Sequence, residues 1–122
     1  DAHEPNDVAP QGSPIILTNG EAGFTGLTLH DYSDADWFQV TLGVTGGASD
    51  HVRVNYLASE PDLRLTLFDD AGSIVTFVRG NAGIATVSLA GLAGGRYRIL
   101  VEGPEDRYSY STGYTLDVRN LG

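Results

Sequence analysis

Apolar residues in this chain recur at every second position within short runs, and glycine punctuates the runs. Over residues 37–44, Phe38, Val40 and Leu42 share one face. Over 51–57, Val52, Val54 and Tyr56 alternate with His51, Arg53 and Asn55. Leu63, Leu65 and Leu67 alternate with Arg64 and Thr66 over 63–68. Asp69-Asp70-Ala71-Gly72 reads as a turn, with residues 73–79 as its partner strand. Strands over 84–89 and 96–102 follow, joined by residues 90–95. The last strand, 114–118, aligns Tyr114, Leu116 and Val118; residues 15–17 and 24–29 are weaker candidates. A period of two is the signature of a strand with one buried and one wet face. No segment carries a helical period. About eight to nine short strands separated by turn signals predict an all-β, antiparallel β-sandwich.

Composition narrows the class. The chain has 122 residues, enough for one domain and one core. Seven basic side chains face sixteen acidic ones, for a net charge of −9. A nucleic-acid binder needs a basic footprint, and anionic lipid repels so acidic a surface; neither nucleic acid nor membrane is an expected partner. No cysteine is present, which excludes disulfides, thiolate metal sites and cysteine nucleophiles. No apolar run approaches the ~20 residues of a membrane-spanning helix. The first twelve residues are short of apolar side chains and read as the end of a linker, so the expected organisation is a linker segment over 1–12 and a sandwich module over 13–122. The most flexible stretches are expected at 1–12, 43–50 and 103–112.

Two acidic clusters stand out: Glu4-Pro5-Asn6-Asp7, and Asp31-Tyr32-Ser33-Asp34-Ala35-Asp36 ahead of Trp37-Phe38. Both offer hard oxygen donors and no thiolate. Ca²⁺ takes about six to eight such oxygens at flexible geometry, whereas Mg²⁺ demands a near-octahedral shell and keeps its waters. One reading is a calcium site formed where the two clusters meet. The other is a solvated acidic terminus, with Asp34 and Asp36 capping a turn.

Together with Asp34-Ala35-Asp36-Trp37-Phe38, four segments resemble the bacterial pre-peptidase C-terminal domain, to which the collagen-binding domains of clostridial collagenases are similar. They are Glu4-Pro5-Asn6-Asp7, Leu65-Thr66-Leu67-Phe68-Asp69 with Gly72, the run from Leu92 to Val101, and Tyr114-Thr115-Leu116. The resemblance implies a jelly-roll-like sandwich, secretion, and service as an accessory module in cis to the catalytic domain of a secreted bacterial peptidase, where it binds or orients an extracellular protein substrate or aids secretion or folding of the parent; a monomer is expected. It also implies a structural calcium ion held by Glu4, Asn6, Asp7, Asp34 and Asp36. Relatives that bind two ions carry a further acid where this chain has Ala2, so one ion is expected.

The ligand is expected elsewhere. Adjacent strand residues point to opposite faces, so Phe38 joins the core while Trp37 shares its face with Gln39 and Thr41. Tyr97 and Tyr114 fall on core faces. Tyr108 and Tyr110 lie in a polar stretch, Glu105 to Thr112, with no apolar register. Aromatics presented this way offer large contact area at low entropic cost. Trp37, Tyr108 and Tyr110 are therefore the candidate ligand-binding residues. Arg53 and Arg64, placed on neighbouring strands, form with Arg96, Arg98, His51 and Asn55 a candidate polar face. An extracellular polypeptide is the expected partner, and a polysaccharide, on a carbohydrate-binding module or adhesin of the same fold, is the alternative. His3, His30 and His51 lack a zinc-protease spacing and no serine sits in a nucleophile elbow, so no catalytic role is expected.

Overall fold

The computed structural model describes residues 13–27, 35–56, 63–102 and 114–122. They form nine strands: β1 (Ser13–Ile15), β2 (Glu21–Leu27), β3 (Ala35–Leu42), β4 (His51–Asn55), β5 (Arg64–Asp69), β6 (Ile74–Arg79), β7 (Ile84–Ser88), β8 (Gly95–Glu102) and β9 (Tyr114–Arg119). Two sheets pack face to face, one of five strands in the order β1-β3-β8-β5-β6 and one of four in the order β2-β9-β4-β7. Pairing is antiparallel throughout except for β1 on β3. Only β5 and β6 are consecutive in one sheet. Every other connection crosses between sheets, giving a jelly-roll-like sandwich.

The core is assembled from the alternating faces read in the sequence. Phe38, Val40 and Leu42 of β3, Leu65 and Leu67 of β5, and Ile99 and Val101 of β8 line one wall. Val52 and Val54 of β4, Ala85 and Val87 of β7, and Leu116 and Val118 of β9 line the other. Tyr97 and Tyr114 are buried among them. The β5–β6 turn is set by its own side chain: Asp69 Oδ1 accepts from the Ala71 and Ser73 N–H groups at 3.0 and 2.9 Å. Gly72 takes φ +88°, a conformation that glycine adopts without the Cβ penalty.

Two expectations need correction. Strands β4 and β5 are not neighbours, because the chain changes sheet between them. Arg53, His51 and Asn55 therefore lie on the outer face of the four-stranded sheet, and Arg64, Arg96 and Arg98 on the opposite side of the molecule. Residues 43–50 are a tied loop. Gly46 N–H donates to Leu92 O at 2.8 Å and Gly91 N–H to Gly46 O at 2.9 Å. A Cβ on Gly46 would lie 1.7 Å from Leu89 O, so the approach requires glycine. Residues 1–12 and 103–112 lie outside the described residues.

Phe38 is fully buried between the sheets. Phe38→Ala is expected to lower the unfolding free energy by about 3–5 kcal/mol in denaturant titration, since it removes the aromatic ring and leaves a cavity.

Candidate functional site

Of the eight residues singled out in the sequence, the described structure places two, Asp36 and Trp37. Glu4, Asn6, Asp7, Asp34, Tyr108 and Tyr110 lie outside the described residues.

Asp36 is the second residue of β3 and shares the inward register of Phe38, Val40 and Leu42. Its side chain is completely buried. The Tyr114 hydroxyl, projecting from β9 of the opposite sheet, donates to Asp36 Oδ2 at 2.5 Å. A carboxylate in the sandwich interior is costly unless it is hydrogen-bonded, paired or bound to a metal. The phenol supplies one such bond, and a carboxylate has about four lone-pair sites, so that bond does not exhaust it. Among the described residues no three His, Cys, Asp or Glu side chains converge into a metal site.

Trp37 points the other way, onto the outer face of the five-stranded sheet. It is half-buried, and its ring lies 5.1 Å from that of Phe68, tilted by 40°. Register builds the rest of this face row by row. Trp37, Leu100, Thr66 and Phe77 form one row, and Gln39, Arg98, Phe68 and Ile74 the next. Beyond them Glu102, Arg64 and Arg79 form a third. The Arg64 guanidinium sits 4.8 Å over the Phe77 ring. Arg96 Nε donates to Asp70 Oδ1 at 2.8 Å, and Arg98 donates to the Asp70 carbonyl at 3.4 Å. Thr66 is only 2% exposed although it faces outward, and among the described residues its hydroxyl has no hydrogen-bond partner. This outer layer is therefore thick and apolar enough to seal a hydroxyl from water.

Phe77 and Ile74 are 57% and 56% exposed, which makes the far end of the face an open apolar strip. All seven basic residues of the chain are arginines, and four of them (Arg64, Arg79, Arg96 and Arg98) stand on this face. Aromatic rings beside planar guanidinium groups suit contact with a polypeptide, whose backbone and side chains offer both apolar surface and hydrogen-bond acceptors. Sequence reasoning missed Phe68 and Phe77 as members of the face. The alternation of β5 signalled Phe68, which shares parity with Arg64 and Thr66, but only the pairing of β5 and β8 brings it beside Trp37, and only the pairing of β5 and β6 puts Phe77 in the same face.

The other outer face differs. Glu21, Arg119, His51 and Ser88 form one cross-strand row, and Gly23, Asp117, Arg53 and Thr86 the next. Arg53 donates to Thr86 Oγ1 at 3.2 Å and Asn55 to Asp117 Oδ2 at 3.3 Å. Opposite charges stand side by side here, as on an ordinary solvated sheet surface.

One further polar centre escaped the sequence reading. Asp50, 2% exposed, ends the loop before β4. Its Oδ2 accepts from the Gly47 and Gly122 N–H groups, both at 2.9 Å, and its Oδ1 from the Leu121 N–H at 2.9 Å. Asn120 reinforces the junction: its Nδ2 donates to Val44 O at 3.1 Å and its Oδ1 accepts from Val44 N–H at 3.3 Å. The Gly47 N–H first, then those of Leu121 and Gly122 and the Asn120 amide, hold the Asp50 carboxyl down at about 2, against the opposing effect of burial.

No protein-family model matches the chain, and no curated protein matches it.

Because the folded-state pKa of Asp50 lies below its ordinary value of 3.8, its contribution to stability is complete above that value. It is lost as the pH falls towards 2. Thermal melts at stepped pH are expected to show the midpoint dropping between about pH 4 and pH 2. In Asp50→Asn the midpoint is expected to be lower at neutral pH and the drop across this window smaller.

Proposed function

We propose that this chain is a non-catalytic binding module of a secreted bacterial hydrolase, one that attaches its parent enzyme to an extracellular polypeptide through the outer face of the five-stranded sheet. The observation that carries this reading is the Trp37–Phe68 pair continued by the exposed Phe77 and Ile74 and flanked by arginines. The 40° tilt between Trp37 and Phe68 supports a polypeptide over a sugar, because a pyranose platform wants coplanar rings open to solvent. The resemblance to pre-peptidase C-terminal domains supports the secreted, accessory role.

The same reading includes a structural calcium ion. Asp36 fits as a hard carboxylate donor at the head of β3, buried and oriented by Tyr114. Glu4, Asn6, Asp7 and Asp34 would supply the other side-chain oxygens. The ion would clamp residues 1–12 to the sandwich and carry no reaction.

Two measurements test these assignments. Melting is expected to occur at a higher temperature in calcium than in EGTA, with stabilisation of about 2.7 kcal/mol at one hundred times the dissociation constant. An unchanged midpoint together with no ion bound by calorimetry would remove calcium from the proposal. In sedimentation with insoluble collagen, elastin, chitin and cellulose, retention is expected on a protein polymer. Trp37→Ala is expected to weaken it by about tenfold or more, the usual loss for an aromatic anchor. Retention on a polysaccharide alone would favour a carbohydrate-binding module instead.

A further inference from the structure

Strand β6 is the outermost strand of the five-stranded sheet, and among the described residues no strand pairs with its far side. Open edges are normally blunted by charge, proline or cover. From Ile74 to Arg79 the strand reads Ile-Val-Thr-Phe-Val-Arg, with no proline and a single charge. Ile74, Val75 and Phe77 are all exposed. The other edge formed late in the chain, β7, is different, for two of its outward residues are the polar Thr86 and Ser88.

The direction of the free backbone groups follows from the ladder. Gly80 N–H donates to Leu63 O at 2.7 Å, so the Leu63–Gly80 pair is hydrogen-bonded. Antiparallel pairs alternate. Arg64–Arg79 and Thr66–Phe77 are then the non-bonded pairs, and the N–H and C=O groups of Arg79 and Phe77 point away from β5, out of the sheet.

Charge selects what fits there. Arg64 and Arg79 oppose each other directly, which is unfavourable for like charges. Among the described residues the only acid in their row is Glu102, 3.9 Å from Arg64 on the side remote from Arg79. The row thus runs acid, arginine, arginine, and an acid next to Arg79 would complete it. The next row ends on Phe77 and calls for an apolar neighbour. A second copy of the chain is the poorer occupant, since a partnering β6 carries no acid to set against Arg79. The net charge of −9 opposes an acidic segment as well, but that long-range field is screened beyond ~8 Å at physiological ionic strength, while contact with Arg79 is not.

We infer that β6 takes up an extended acidic polypeptide segment as a sixth, antiparallel strand of this sheet, with a Glu or Asp side chain against Arg79 and an apolar side chain two residues later against Phe77. The inference rests on the reading of this outer face as the binding surface and names the chemistry of its partner.

The probe is a blocked, fluorescein-labelled peptide of sequence Thr-Glu-Thr-Val-Thr-Ile-Thr, followed by anisotropy, with a Lys-for-Glu peptide and a backbone N-methylated Glu peptide as comparisons. The Glu peptide is expected to bind at least tenfold more tightly than either. Arg79→Glu is expected to reverse the preference towards the Lys peptide. Phe77→Pro, which removes an outward N–H at an exposed position, is expected to abolish binding, while Phe77→Ala only weakens it; circular dichroism checks that both variants fold. Equal binding of the Glu and Lys peptides, indifference to Arg79→Glu, or identical behaviour of Phe77→Pro and Phe77→Ala would overturn the strand assignment. So would a homodimer in sedimentation that Phe77→Pro dissolves, since the occupant would then be a second copy. Polymer retention that needs Trp37 but ignores Arg79 would sink this inference and leave the binding-face reading standing. Peptide binding without retention on any polymer would do the reverse.

Discussion

Each sheet of a two-layer sandwich has one face that can be buried against its partner, and everything else in this molecule follows from which residues the period of two sends to that face. Phe38, Val40 and Leu42 go inward from β3 and join Leu116 and Val118 of β9 and Val52 and Val54 of β4 in one core cluster. A one-residue slip in any of these strands would invert its faces. The β3–β8 pairing, continuous from Ala35–Glu102 to Leu42–Gly95, holds that register for the larger sheet.

The same rule sends one carboxylate inward. Asp36 has the parity of the core residues, so it is buried, and Tyr114 from the opposite sheet meets it. Asp50 is buried for another reason: it stands where the loop before β4 meets the end of the chain, and three backbone N–H groups converge on it. These two acids have unlike surroundings. Asp50 is satisfied by backbone donors from its own loop and from the end of the chain, and so ties the two together. Asp36 is held by a phenol that reaches it from the opposite sheet, so its bond joins the two layers of the sandwich.

The two outer faces carry the contrast that bears on function. Over the four-stranded sheet, acids, arginines and amides pair across strands in the manner of a solvated surface. Over the five-stranded sheet, Trp37, Leu100 and Phe68 stand in the rows around the buried Thr66, and the apolar strip continues into the exposed residues of β6. Among the described residues the Thr66 hydroxyl has no hydrogen-bond partner and no strand pairs with the far side of β6, and each feature costs stability. Both belong to the sheet whose outer face also concentrates the arginines.

The strands, their limits to within two residues except at the start of β2, and the inward-facing residues of nearly every run were legible in the alternation alone. Side-chain parity is a local property, and the Asp69–Gly72 turn carries its own hydrogen bonds. Beyond the β5–β6 hairpin, which strands became neighbours was not legible. Whether β5 follows β4 in one sheet or crosses to the other depends on long-range pairing, and that choice put Arg53 and Arg64 on opposite sides of the molecule. It also placed Phe68 against Trp37 and left β6 at an edge. Asp50 read as a loop residue because its partners, Leu121 and Gly122, lie some seventy positions away. The sequence by itself determined the faces; the tertiary structure decided what each face meets, because backbone pairing joins segments whose separation along the chain carries no local signal.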